Sequence, residues 1–253
     1  MNRFCIGNLV LGALPRVVGT LCRRDSLAAT HDAAGYACDI VEVRLDVLGH
    51  GSLAWLQECQ AIERAGFPVI LTLRLAAEGG KWEATDEARE AILSAAVKHL
   101  ACVDIELTSV LRARLSSAAE RLRKPVIISY HNFERTPDFP ELREILERIL
   151  AVPSAIPKIS TMVTGDADVD TLKRLFDIQR ARPRCIIGMG DKGTTTRVLF
   201  PSLGGCLAYG YFDSPVAPGQ IPSGELMQRL GDLIPAYKED LIARKKRAGN
   251  VSE

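Results

Sequence analysis

No stretch of this chain approaches the ~18 consecutive apolar residues that a membrane-crossing helix needs. Nor does it carry a surplus of one charge. Its 32 Lys and Arg stand against 31 Asp and Glu, a net charge of +1, so there is no electrostatic footprint for nucleic acid or an anionic membrane, and a ligand must be held by local charges. The seven cysteines, at 5, 22, 38, 59, 102, 185 and 206, are odd in number and scattered, without CxxC or His/Cys ligand spacing. They read as reduced core residues, which argues against a disulfide framework or a metal site. The apolar run of the opening MNRFCIGNLVLGALPR is broken by Gly7, Asn8 and Gly12, so a signal peptide is not expected and the expected location is cytoplasmic. Low-complexity segments, linkers and internal repeats are lacking too.

What is present is an ordinary globular composition over 253 residues, 47% hydrophobic and 25% charged, enough for one sizeable core. A single domain over 1–253 is expected, its charged tail KEDLIARKKRAGNVSE fraying from about 245. Short β-branched runs alternate with amphipathic stretches, the pattern of βα units and a parallel sheet. Strands are predicted at 16–22, 40–46, 68–75, 102–107, 125–132, 156–163, 184–190 and 206–212. Helices are predicted at 26–38, 52–65, 86–100, 109–122, 139–151, 169–181, 194–202 and from 223. A doubly wound open sheet competes, but the even spacing and the count of eight favour closure into a (β/α)8 barrel, an α/β fold.

Such a barrel gathers its chemistry at the C-terminal strand ends. Strand two carries Glu42, Arg44 and Asp46 at period two, which puts them on one face. Strand three adds Thr72 and Arg74 and runs on to Glu78. Strand four offers Asp104 and Glu106, strand five Ser129 and His131, and strand six Lys158 and Ser160. Any one of Glu42, Asp46, Asp104 or Glu106 is as readily a structural salt bridge or loop anchor as a functional group. Their convergence is the signal, because ionised groups in a core are costly unless paired, and the cluster suggests a charged, polyhydroxylated ligand.

Lys158 sits in the apolar stretch AIPKIST. It either snorkels to solvent or is a desolvated amine, whose neutral form attacks carbonyl carbon to give a Schiff base. Of the four histidines, His31 and His99 fall in helical patterns and His50 in the loop LGHGS, which leaves His131, ending a strand on the inner face, as the proton carrier. A lysine imine with one histidine describes proton abstraction next to a ketone. Gly188-Met-Gly190-Asp-Lys-Gly193, with Asp213 twenty residues on, formally matches a dinucleotide fingerprint. It lies in the seventh unit, where a glycine-rich turn more often holds an anion.

The motifs EVRLD, TLRLAAEGG, DIEL, SYHNF, PKIS, MGDKGTTTR and APGQI, in this order and spacing, resemble the type I 3-dehydroquinate dehydratases, Schiff-base (β/α)8 enzymes of the shikimate pathway. The resemblance implies that Lys158 forms an imine with the C3 ketone of 3-dehydroquinate. His131 then takes a C2 proton and returns it to the departing C1 hydroxyl, oriented by Glu78. It further implies that Glu42, Arg44 and Arg74 hold ring hydroxyls, that Arg197 binds the substrate carboxylate, and that Gln220 lies in a loop closing over the substrate. Thr20 matches a strand-one hydroxyl, and Phe133 and Met189 match apolar ring contacts. No metal or cofactor is implied, and the partner is a small-molecule substrate. Oligomeric state is not legible; a homodimer is one arrangement the sequence allows. One departure stands out: Val216 occupies the position of a family serine that bonds the substrate, and Ser214 lies two residues earlier. The alternatives are another Schiff-base barrel, such as a class I aldolase on a different polyol, and a catalytically silent barrel that binds a carboxylate.

Overall fold

The structure, a computed structural model, describes residues 4–29, 37–49, 54–178 and 182–249. Eight parallel strands form a nearly closed barrel: β1 (Arg16–Leu21), β2 (Ile40–Arg44), β3 (Val69–Thr72), β4 (Cys102–Glu106), β5 (Val126–Asn132), β6 (Ala155–Met162), β7 (Cys185–Met189) and β8 (Leu207–Tyr211). From β1 to β7 each strand pairs with its neighbour in sequence, and β8 pairs with β1, so that β7 and β8 are the two ends that the closure brings together. At the β7–β8 seam the Cys206 amide donates to the Arg184 carbonyl at 2.9 Å. The expected (β/α)8 barrel is therefore the fold.

Helices follow the strands: α1 (Arg24–Ala29), α2 (Leu45–Leu48), α3 (Ala54–Arg64), α4 (Asp86–His99), α5 (Arg112–Arg121), α6 (Phe139–Leu150), α7 (Asp166–Asp177), α8 (Thr196–Ser202), α9 (Ser223–Leu233) and α10 (Pro235–Gly249). Their starts are written locally. The Thr85 hydroxyl accepts the Ala88 amide ahead of α4, and the Asp138 carboxylate accepts the Glu141 amide ahead of α6, each satisfying an amide that the first turn leaves over. The apolar stripe Leu142, Ile145, Leu146 and Ile149 then buries α6 against the barrel.

Period-two alternation builds two cores. Outward residues such as Val41, Leu71, Ile105 and Ile159 pack under the helices. Inward residues Val18, Ile40, Ile70, Cys102, Ile127 and Ile156 fill the lower barrel, which is plugged by Ile6, Leu9 and Leu11 around an N-terminal hairpin of Cys5–Ile6 with Leu9–Val10. The hairpin was not expected from the sequence. Above this apolar floor the next inward residue on most strands is polar, which hands the upper barrel to the site.

Several boundaries differ from expectation. Strand two ends at Arg44, and Leu45–Leu48 is helical, so Asp46 reaches the interior from a helical turn rather than a third strand position. Strand three ends at Thr72, because the chain bends back after Arg74. Trp82 N–H donates to the Arg74 carbonyl, and Gly79 has φ 75°. A Cβ at Gly80 would lie 2.0 Å from the Arg74 carbonyl oxygen, so only glycine fits. The predicted helices at 26–38, 52–65 and 169–181 each fall partly outside the described residues, as do His31 and His50. Helix α10 runs to Gly249, past the expected start of fraying; residues 250–253 lie outside the described part.

Helix α10 is tied to the barrel bottom. Buried Asp39 accepts the Val17 amide and the Tyr237 hydroxyl, both at 2.7 Å, and pairs with Arg244. Replacing Asp39 by Ala strands both buried donors, and urea unfolding is expected to register a loss of about 2–4 kcal/mol. Activity per folded molecule should be unchanged, since the anchor lies at the end of the barrel away from the site.

Candidate active site

The upper barrel holds a pocket that opens at the C-terminal ends of the strands. Lys158 stands at its base, 4% exposed, so it does not snorkel to solvent. Register explains its company. Ser129 is paired with Lys158 across β5–β6 and with Glu106 across β4–β5, and Asp104, one inward position before Glu106 on β4, is the carboxylate that meets the amine. Nζ lies 2.9 Å from Asp104 and 3.5 Å from Glu42. The groups touching the amine are thus carboxylates from other strands.

Those carboxylates are held in turn. Arg74 pairs with Asp104 at 2.9 Å and with Glu106 at 3.1 Å, and donates to the Ser129 hydroxyl at 2.7 Å. Ser129 donates to the other Asp104 oxygen. Although burial alone would push the Asp104 carboxyl up, Arg74 and Lys158 hold it far below the usual carboxylate range. Glu106 is anchored from behind by Arg89 of α4, which is fully buried and also donates to the Leu73 carbonyl. Arg89 escaped the sequence reading. It stands between acidic residues in a helical pattern and reads there as a solvated surface position.

The histidine sits within the same enclosure. Glu78, carried back by the Gly79-Gly80 bend, accepts both the His131 amide and its Nδ1–H on one oxygen, each at 3.0 Å. An oxygen that accepts two N–H groups fixes the tautomer, leaving the Nε2 lone pair for chemistry. Burial, then Arg74 and Lys158, hold the imidazole well below its ordinary 6.5. Burial raises the Glu78 carboxyl to about 7, against the opposing pull of Arg74. Phe133 stacks beside His131 and lies over Gly79, where a Cβ would meet its ring at 2.4 Å.

On the far wall, Thr20 and Thr72 donate to the two Glu42 oxygens, both at 2.9 Å. Arg44 is gripped by Asp46 through two nitrogens at 2.9 and 2.8 Å. Arg197 is buried, yet no ion pair reaches it among the described residues. It donates instead to the carbonyls of Gly219, Tyr209 and Pro218. Desolvation pulls it down to about 10, the signature of a cation short of an anion. Gln220 donates to Thr20 at 3.3 Å and accepts the Val216 amide at 2.9 Å, which ties the loop across the mouth.

The eleven residues to which the resemblance gives a role all line this one pocket: Thr20, Glu42, Arg44, Arg74, Glu78, His131, Phe133, Lys158, Met189, Arg197 and Gln220, whereas Asp46, Thr72, Asp104, Glu106 and Ser129 stand behind them. Tyr209 and Ile187, which read only as apolar strand positions, line the pocket too. Val216 also lines it, whereas Ser214 is absent from the lining and offers its carbonyl to Cys22. The glycine-rich turn is structural: a Cβ at Gly193 would lie 2.5 Å from Gly188. Asp213 accepts the amides of Cys22 and Arg23, an anchor rather than a ribose partner. Among the described residues no group of three His, Cys, Asp or Glu could hold a metal, and no helix is long and apolar enough to cross a membrane.

A family model described as type I 3-dehydroquinase matches residues 18–233. The 3-dehydroquinate dehydratase of Methanosarcina barkeri is 36% identical over 236 residues, covering 89% of this chain and 97% of that protein. The crystal structure of the 3-dehydroquinate dehydratase from Aquifex aeolicus superposes with a TM-score of 0.74 at 29% identity, covering 85% of this chain and 97% of that one. A type I enzyme from Clostridium difficile shares the fold, with a TM-score of 0.82 at 23% identity over 94% of this chain and 99% of that one.

In the free protein the His131 ring is expected to stay neutral at pH 6.5, because burial, Arg74 and Lys158 hold its pKa well below that value. Nitrogen-15 NMR of the imidazole would read this directly, and a half-protonated ring at pH 6.5 would contradict the geometry. The sign for stability follows. A depressed histidine pKa contributes stability above 6.5 that is lost as pH falls toward the folded-state value.

Proposed function

We propose that this chain, which belongs to the type I 3-dehydroquinase family, removes water from 3-dehydroquinate by way of an imine on Lys158, with His131 carrying the proton. Family membership brings the reaction itself, 3-dehydroquinate to 3-dehydroshikimate, and its place in the shikimate pathway. The observation that carries the imine reading is a buried primary amine at the base of the pocket that also holds a neutral imidazole oriented by a carboxylate.

Arg197, a buried guanidinium without an anionic partner among the described residues, takes the substrate carboxylate. Glu42, Arg44 and Arg74 offer acceptors and donors for the ring hydroxyls, Thr20 and Gln220 complete that wall, and Phe133 and Met189 pack on the ring. Before attack the ammonium gives up a proton. The Glu42 and Asp104 carboxylates lie 3.5 and 2.9 Å from that nitrogen. The amine adds to the C3 ketone, and loss of water leaves the protonated imine. That imine acidifies C2, and Nε2 of His131 removes the proton to give an enamine. The enamine expels the C1 hydroxyl, which leaves as water with the proton from His131, and hydrolysis frees Lys158. The unpaired cysteines suit a reducing compartment and support a cytoplasmic enzyme.

Borohydride added with 3-dehydroquinate is expected to fix the reduced substrate on Lys158, seen by peptide mass spectrometry. Lys158→Ala should abolish turnover, and His131→Ala should lower kcat ~10²- to 10⁴-fold. No adduct, together with a fully active Lys158→Ala protein, would falsify the imine.

The acid limb of the pH profile belongs to Glu78. With its carboxyl raised to about 7, it gains a proton below that pH and loses the charge that holds the Nδ1–H tautomer. We expect kcat/KM to fall as pH drops through about 7, and Glu78→Gln to abolish that limb while lowering the plateau. A limb that persists unchanged in Glu78→Gln would assign it to another group.

A further inference from the structure

The Lys158 nitrogen has an aromatic neighbour as well as its carboxylates. The ring centroid of Tyr209, on β8, lies 4.0 Å from Nζ. The residue is 4% exposed and lines the pocket at the level where the apolar floor begins. Its hydroxyl is buried and makes no hydrogen bond among the described residues. A stranded hydroxyl is a net loss to a core, so the hydroxyl neither fixes the ring nor accounts for its place. Packing against Leu207, Ile187 and Cys185 of the interior cluster does that. What the residue presents to the reacting nitrogen is its face, the negative side of the aromatic quadrupole. The phenol stays uncharged, since burial and then Glu42 and Asp104 push it well above its ordinary 10.

We propose that Tyr209 is a catalytic residue whose ring face stabilises positive charge on the Lys158 nitrogen as the protonated imine forms. The proposal rests on the imine reading above. Two steps create that charge from neutral species: the neutral carbinolamine takes back the proton that the ammonium gave up and loses its hydroxyl as water to give the cationic imine, and the neutral enamine expels the C1 hydroxyl, protonated by His131, as water to give the cationic product imine. A fixed π face lowers both barriers because it interacts more strongly with the cation being formed than with its neutral precursor. The intervening removal of the C2 proton discharges the nitrogen and gains nothing from the ring. Asp104 and Glu42 act in the same sense, but both sit at the edge of the nitrogen that must also exchange protons, whereas the ring takes no proton.

The test keeps shape constant and varies the ring's electrostatics. Tyr209→Phe should retain kcat within about threefold, since the face remains, and should not lower the melting temperature. Replacing Tyr209 by phenylalanines bearing one, two, three and then five fluorines empties the face stepwise at nearly constant volume. We expect kcat to fall progressively, by about tenfold or more across the series, the range of a desolvated cation–π contact. The amount of imine trapped on Lys158 by borohydride at a fixed time should fall in parallel. A flat series, with the adduct still formed, overturns the role of Tyr209 and leaves the imine standing. A Tyr209→Phe protein as impaired as the fully fluorinated one also overturns it, because the hydroxyl would then carry the effect. No adduct in the unsubstituted enzyme removes the imine and this proposal together.

Discussion

The structure depends on how a primary ammonium is kept inside a barrel. Taken out of water unpaired, such a charge is prohibitive. Here it is the end of a chain of contacts that runs from Lys158 to Asp104, through Arg74 to Glu106, and out to Arg89 of α4. Each carboxylate has a second tether, Ser129 for Asp104 and the Leu75 amide for Glu106. Buried ion pairs add little net stability compared with apolar packing, so the chain's contribution is positional. Its charges are aimed before substrate arrives and need not reorganise during the proposed passage of the nitrogen between amine, imine and enamine.

The same economy of placement divides the barrel along its axis. The lower interior is apolar and plugged by the hairpin, and it supplies the burial that holds the strands together. The polar layers above begin one inward position further along the strands. Lys158 therefore stands on hydrocarbon on one side and among charges on the other, with Tyr209 at the boundary. A deeper lysine would lose Asp104 and Glu42; a shallower one would reach water.

Much of this was legible in the sequence because parallel strands buried on both faces normally read as continuous apolar runs. Charges at period two in EVRLD and DIEL break that rule audibly, and a glycine pair after TLRLAAE marks the bend that returns Glu78. What could not be read is whatever depends on stagger between strands. Asp104 and Glu106 look equivalent along β4, yet one meets the lysine and the other meets Arg89. Asp46 keeps its partner Arg44 although it left the strand, because two residues on the start of a helical turn still bring a short carboxylate under a guanidinium. Arg89 and Tyr209 were missed for opposite reasons. The first carries a charge that propensity assigns to the surface, and the second has an aromatic ring that pattern assigns to the core.

The loop at the mouth shows why Val216 need not disable the site. A serine there would offer a side-chain donor, and valine cannot. Yet the loop's connections to the barrel run through other atoms. The Val216 amide donates to Gln220, Gln220 donates to Thr20, and Thr20 donates to Glu42, which touches the lysine. From the other edge, Gly219 and Pro218 give their carbonyls to Arg197. Carbonyls alone are weak company for a buried guanidinium, which is why desolvation still lowers it. An arriving carboxylate would relieve that deficit at the point where the loop is already attached. The affinity lost with one neutral hydrogen bond, about 0.5–1.5 kcal/mol, is therefore set against a charged contact worth more. On the proposed reading Arg197, not residue 216, decides whether the site holds an acid.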